Sequence, residues 1–307
     1  MKYTFTFLLF CLCTSFIAQK RQNKYSNYIL IRDNTDNKFI LGNLELANLT
    51  VSGSRMSLSG GPGIKFLIKG LYATADYEYH YLDGLADASV ANSQTSYSIY
   101  KNQNSRNGEA TIGYFFKKSI EKKVRLGLYT QGNTHYYTNV DAHVNKIYGL
   151  HVGYKTGFVN IWLPSTYNAT TNMQYGWFTF GPSIGNIQDV IAEFADYGTK
   201  KSQYFSRFYF NLIYVANSKV EDVYKVVEPT SSAGQSVTLL YKTNLSENVK
   251  MTKFGYNIGY ETYRFSKFGF NSKIELGLAP GVIDPTIRNI SNFYLAFKFS
   301  MGLGKTL

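Results

Sequence analysis

The stretch Phe293-Tyr-Leu-Ala-Phe-Lys-Phe-Ser-Met-Gly-Leu303 decides the reading of this chain. Phe293, Leu295, Phe297, Phe299, Met301 and Leu303 share one parity; Tyr294, Ala296, Lys298, Ser300 and Gly302 share the other. A side-chain period of two belongs to a β-strand, because successive side chains leave the backbone on opposite faces. The two segments before it repeat the pattern. Phe268, Phe270, Ile274, Leu276 and Leu278 stand against Asn271, Lys273, Glu275 and Gly277, and Phe254, Tyr256, Ile258 and Tyr260 against Lys253, Asn257 and Glu261. Strands of about ten residues with one apolar and one polar, charged face suit a transmembrane β-barrel, with lipid outside and a wet lumen inside.

The alternation extends upstream. Met56, Leu58, Ile64, Phe66 and Ile68 oppose Ser57, Ser59 and Lys65, and Gly60–Gly63 between them predicts a bulge or a close approach. Ala73, Ala75, Tyr77, Tyr79 and Tyr81 oppose Thr74, Asp76, Glu78 and His80. Residues 109–118 and 123–137 read as a hairpin around Ser119–Glu121. Ala110, Ile112, Tyr114, Phe116, Val124, Leu126 and Leu128 would face out, and Arg125 and His135 in. Tyr148, Leu150, Val152 and Tyr154 oppose His151 and Lys155; Phe208, Phe210, Leu212 and Tyr214 oppose Arg207 and Asn211. Residues 172–182 form a strand with a weak choice of face. Two stretches are ambiguous: 39–51 has apolar residues on both parities, and 187–197 fits either a strand or a short helix over 189–194. Polar segments 83–106 and 216–250 read as long exposed loops. Short and long connections then alternate, giving about twelve antiparallel strands if both ambiguous stretches count and ten if neither does. A soluble β-sandwich could also bury one face of such strands. Their length, their aromatic outer face and an export signal favour the membrane.

That signal is residues 1–18. Lys2 precedes an apolar run from Phe5 to Ile17, and Ala18–Gln19 is a cleavage point, as in a secretory signal peptide. Both cysteines, Cys11 and Cys13, lie inside it, so the mature chain has no disulfide, thiol nucleophile or Cys-ligated metal. Residues 19–38 are a polar N-terminal tail, and 39–307 a single barrel domain. Among 307 residues, 27 Tyr and 22 Phe exceed what a soluble core takes easily, since each buried hydroxyl wants a partner, whereas aromatic girdles absorb them. No later run of about 18 apolar residues predicts a transmembrane helix. The net charge is +12, and many of the basic residues sit at short turns, such as Lys117–Lys118 and Lys200–Lys201, rather than on one helix or in a disordered tail. Lipid headgroups suit that distribution, and nucleic acid does not.

Together the Ala18–Gln19 signal, the amphipathic strands and the Phe293, Leu295, Phe297, Phe299 terminal strand resemble the outer-membrane β-barrel proteins of Gram-negative bacteria. The Tyr- and Asn-rich, Cys-free style is similar to barrels of the Bacteroidetes. The resemblance implies the cell outer membrane as location, and outer-membrane lipid and the barrel-assembly machinery as partners. Such barrels commonly end on an aromatic-alternating strand; here Gly302–Leu307 continues past the last aromatic residue.

The lumen-lining charges expected from parity are Arg55, Lys65, Asp76, Glu78, Glu109, Arg125, Lys155, Arg207, Lys253, Glu261, Lys273, Glu275 and Lys298. Phe254, Tyr256, Ile258, Tyr260, Phe268, Phe270, Phe293, Leu295, Phe297 and Phe299 are the expected lipid-facing set. Near balance of sign favours pairing across a narrow bore as an ionic plug over a selective channel. His80 and His135 fall on the lumen parity without ligand spacing, there is no Gly-x-Ser-x-Gly elbow, and the Gly-Lys-Thr at 304–306 lacks phosphate-loop spacing. No catalytic residue, metal or cofactor is expected. The expected function is a structural or docking barrel with a largely plugged lumen, whose loops 83–106 and 216–250 bind a surface glycan or protein. A small-solute channel is the alternative, and a barrel lipase or acyltransferase the third.

Overall fold

In the computed structural model of the chain, the described residues are 20–23, 27–33, 38–52, 55–85, 96–97, 105–163, 169–221, 224–227, 239–242, 250–265, 268–280, 282–283 and 293–306. None of them is helical. The N-terminal strands are β1 (Lys20–Asn23) and β2 (Tyr28–Asp33); β3 (Phe39–Ser52), β4 (Arg55–Ile68) and β5 (Leu71–Leu85) form a meander. After the short β6 (Ser96–Tyr97) come four long strands, β7 (Arg106–Gln131), β8 (Thr134–Leu163), β9 (Ala169–Phe194) and β10 (Gly198–Val220). Short strands β11 (Tyr224–Val227), β12 (Leu239–Lys242) and β13 (Lys250–Met251) precede β14 (Phe254–Arg264) and β15 (Gly269–Leu278), and β16 (Val282–Ile283) precedes the final β17 (Phe293–Thr306).

Ten strands close an antiparallel barrel in the order β3-β4-β5-β7-β8-β9-β10-β14-β15-β17, with β17 returning to β3. Representative registers are Phe297 opposite Leu49, Phe66 opposite Ile40 and Tyr260 opposite Ile274. The ten strands include residues 39–52, contrary to the way the sequence reaches that number. The two strands surplus to twelve disappear because 109–131 and 172–194 each run unbroken. The expected hairpin at Ser119–Glu121 and the short-helix option at 189–194 are therefore corrected. Ser-Ile-Glu has no residue that favours positive φ, whereas the true reversals use Gly132 (φ 55) and Gly198 (φ 63). The 39–51 ambiguity has a local cause. The β3–β4 register shifts between Glu45 and Asn48, so both side chains are buried while Leu44, Leu46 and Val51 are exposed.

Along the other barrel strands burial alternates as the pleat requires. Ile64, Tyr77, Ile112, Leu150, Phe208 and Phe270 are exposed, and Lys65, Glu78, Thr111, His151, Arg207 and Asn271 are buried. Lys69 (φ 50) and Gly70 (φ 90) make the two-residue β4–β5 turn, in which both central residues need positive φ.

The chain divides into two compact units. Residues 37–117, 147–186 and 205–307 are the barrel unit; residues 1–36, 118–146 and 187–204 form the other. The second unit has its own core of Val124, Leu126, Leu128, Val140, Ala142, Val144, Val190, Ala192 and Phe194, with Tyr28 and Leu30 packed against it. β2 pairs antiparallel with β9 from Tyr28–Phe194 to Asp33–Val190, and β1 pairs parallel with Thr134–Tyr137 of β8. Val124, Leu126 and Leu128 are thus protein-buried rather than outward. Strands β1 and β2 lie within residues 19–38. An apolar period-two face looks the same whether lipid or another sheet covers it. The signal segment 1–18 and most of the loops at 83–106 and 216–250 lie outside the described residues, although 83–85, 106 and 216–220 are strand.

Candidate functional site: the barrel interior

Two layers of side chains fill the bore. The first is aromatic. Phe39, Tyr72, Phe115, Phe205, Tyr263 and Phe265 come from β3, β5, β7, β10 and the end of β14, and all are almost fully buried. Phe205 sits among them, with ring centroids 5.5 Å from Tyr72, 5.8 Å from Phe115, 5.9 Å from Tyr263 and 6.0 Å from Phe39; Phe39 stacks on Phe265 at 4.8 Å. Each position is the inner parity of a strand beside a strand end or a unit boundary, so the rings converge at one end of the barrel unit.

The second layer is ionic. Arg207 pairs with Glu261, whose carboxylate also accepts from the hydroxyls of Tyr263 and Tyr72 (3.2 Å for Tyr72). The Arg207 guanidinium lies 4.5 Å from the Tyr72 ring centre, joining the two layers. Lys65 pairs with Asp76 at 3.2 Å and lies 4.6 Å over the Tyr263 ring. Lys273 pairs with Glu275 at 3.0 Å, and Tyr209 and Tyr294 each donate to that carboxylate at 2.6 Å. Lys298 pairs with Glu78 and lies 3.6 Å from Glu45; Asn48 donates to Glu78 at 3.0 Å. A cavity of about 40 Å³ remains among Glu45, Lys65, Arg207 and Lys298. That is room for a few waters but not for an organic solute.

The structure brings together Lys65, Asp76, Glu78, Arg207, Glu261, Lys273, Glu275 and Lys298 in this network. Glu109 lines the same cavity, and Lys155 shares the inner parity of β8 with His151; neither has an ion pair among the described residues. Two expected members lie elsewhere. Arg125 is exposed in the second unit, 4.3 Å from the Tyr137 ring centre, because the inner parity of the barrel portion of β7 does not line a lumen after residue 117. Lys253 is exposed just ahead of β14, with its carbonyl accepting from the Val215 amide at 2.9 Å. The Arg55 side chain lies outside the described set. On the outer face, Phe254, Tyr256, Tyr260, Phe268, Phe270, Phe293 and Phe299 are exposed, and Ile258, Leu295 and Phe297 are half-buried. His80 is buried against Asn107 at 2.9 Å, while His135 belongs to the second unit and contacts Thr130, so the two imidazoles do not meet. No cluster of three His, Cys, Asp or Glu suited to a metal occurs among the described residues.

Parity missed Glu45, which the β3 bulge turns inward, and the aromatic layer. The signal for that layer was present: the inner parity becomes aromatic at Tyr72, Phe115, Phe205 and Phe265, each beside a strand end or a unit boundary. No protein-family model matches the chain, and no curated protein matches it. The fold itself, an all-strand antiparallel barrel, is consistent with an outer-membrane barrel.

Proposed function

We propose that this protein is a non-conducting outer-membrane barrel of a Gram-negative bacterium, in style one of the Bacteroidetes, that serves as a structural or docking scaffold. The observation that carries the reading is the aromatic layer around Phe205 backed by the Arg207–Glu261 network. In a ten-stranded barrel the bore is narrow enough for side chains to fill it, and here both layers do so from the wall itself. The membrane placement rests on the outer face. Exposed apolar side chains such as Ile64, Leu150, Phe208, Phe270 and Leu303 occur on strand after strand around the barrel, far beyond what a soluble monomer exposes. Tyrosines gather toward the long-loop end, with Tyr77, Tyr79 and Tyr81 on β5 and Tyr214 5.5 Å from Phe254, as an interfacial girdle requires. The same filled bore weighs against the small-solute channel, and no catalytic step is proposed.

The test is single-channel recording of the mature chain, folded in detergent and reconstituted in planar bilayers. The expected record is flat, from protein that still shows the heat-modifiable gel mobility of a folded barrel. Stable, reproducible conductance steps from such protein would overturn the scaffold reading.

A further inference from the structure

At the long-loop end, a pocket of about 600 Å³ opens where β7, β8, β9 and β10 reach the rim of the barrel unit. That volume is in the range of small-ligand sites. Two cations, Arg106 and Lys219, line it, and no Asp or Glu does among the described residues. Neither cation has a hydrogen-bond or ion-pair partner among the described residues. The amides of Gln174 and Asn217 and the hydroxyl of Ser218 are likewise uncommitted there. By contrast, the side chains beneath them are fixed. Asn107 is buried, accepts from the Tyr175 hydroxyl at 2.6 Å and meets His80 at 2.9 Å, and Thr156 donates to the Tyr175 carbonyl at 3.0 Å. Tyr175 and Phe158 are buried in its floor, and the Tyr175 ring stacks on Trp177 at 4.2 Å. Two glycines, Gly108 and Gly157, line the space. A Cβ on Gly157 would lie 2.5 Å from the Asn107 oxygen and 2.6 Å from the Tyr175 hydroxyl, whereas one on Gly108 would meet nothing within 4 Å.

We infer that this rim pocket binds an acidic sugar, meaning a mono- or disaccharide unit bearing a carboxylate or a phosphate. Unpaired Arg and Lys side chains with no competing carboxylate select an anion. Free amides and a hydroxyl match sugar hydroxyls. A neutral peptide would leave both cations unmatched. The inference rests on reading the long-loop end as the ligand-facing end of the scaffold, and names the ligand class that scaffold would take. Such a sugar reaches an outer membrane from two sources, as a free acidic saccharide or as the headgroup of a phosphoglycolipid.

Tryptophan emission of the full mature chain reports the site, because Trp177 packs directly on Tyr175. In micelles the probes are digalacturonate and, as neutral control, maltose; in nanodiscs the probe is lipid A against phosphatidylcholine alone. Saturable change with digalacturonate assigns a soluble source, and change only with lipid A assigns the glycolipid. Either outcome supports the inference, provided that Arg106→Glu/Lys219→Glu weakens the response about tenfold or more, the size expected for losing charge-assisted contacts. Gly108→Leu, whose side chain enters open space, is expected to abolish it without loss of folded gel mobility. No response to either acidic probe, an equal response to maltose, or a response unchanged in both variants overturns it. A flat conductance record alongside absent sugar binding would remove the pocket alone and leave the scaffold reading intact.

Discussion

Arg207 on β10 and Glu261 on β14 form an ion pair on neighbouring barrel strands, with side-chain exposures of 7% and 3%. Such a pair gains little over apolar packing, but breaking it strands a charge away from water. Glu261→Gln is therefore expected to destabilise the barrel by about 3–5 kcal/mol. Arg207→Met/Glu261→Met should cost much less. Urea titration of refolded protein in micelles measures both, and equal losses would refute the uncompensated-charge account.

Phe205 touches four other rings in the bore and is fully buried. Phe205→Ala leaves a cavity that the surrounding β-wall cannot collapse to fill, so a loss of about 3–5 kcal/mol is expected. Phe205→Leu should recover most of it. A small loss for the alanine variant in the same titration would mean the layer is loosely packed.

Leu126 and Leu150 occupy apolar parities that look alike in sequence, yet Leu126 is 1% exposed in the second unit and Leu150 66% exposed on the barrel. Leu126→Asp is expected to open residues 118–146 and 187–204 to limited proteolysis while heat-modifiable barrel mobility persists. On the proposed membrane placement, Leu150→Arg should instead weaken insertion, by about 2–4 kcal/mol at the bilayer midplane. Reversal of the two phenotypes would contradict the assignment of these faces.

His143 on β8 and Asp33 on β2 are joined at 2.6 Å, with Glu121 3.6 Å from the other ring nitrogen. The hydrogen bond that His143 donates to the Asp33 carboxylate, with the negative charge there, raises the His143 imidazole above its ordinary value, and the same bond lowers the Asp33 carboxyl. The histidine contribution is complete below about pH 6.5 and is lost as pH rises through the raised pKa; the aspartate contribution is complete above about pH 3.9 and is lost as pH falls through the lowered one. Attachment of β2 should accordingly be strongest between those limits. Amide exchange in β2, corrected for intrinsic rates, is expected to show more protection at pH 5.5 than at pH 8.5. His143→Gln should flatten the difference, and an unchanged pH dependence in that variant would exclude the pair as its source.

Much of this was legible in the chain. The period-two runs in β14, β15 and β17 place Tyr256, Phe270 and Phe299 on one face and Glu261, Lys273 and Lys298 on the other, because the pleat ties facing directly to residue parity. Opposite signs on that inner parity, Lys65 and Asp76 or Lys273 and Glu275, also implied the pairing that the structure displays. Local turn chemistry at Gly132–Asn133 could have corrected the strand count, since glycine marks the reversal that Ser119–Glu121 lacks.

By itself, then, the sequence determined an all-β chain, the inner and outer faces of most barrel strands, and the charge content of the bore. Only the tertiary structure decided what each apolar face meets. It separated Val124, Leu126 and Leu128, covered by Val190 and Phe194, from Ile112 and Tyr114 on the same strand, and it gathered Phe39, Tyr72, Phe115 and Phe205 into one layer. The reason is physical. Alternation is a property of one strand and its backbone, whereas burial and closure arise from contacts between residues far apart in the chain, as from Phe39 to Phe265.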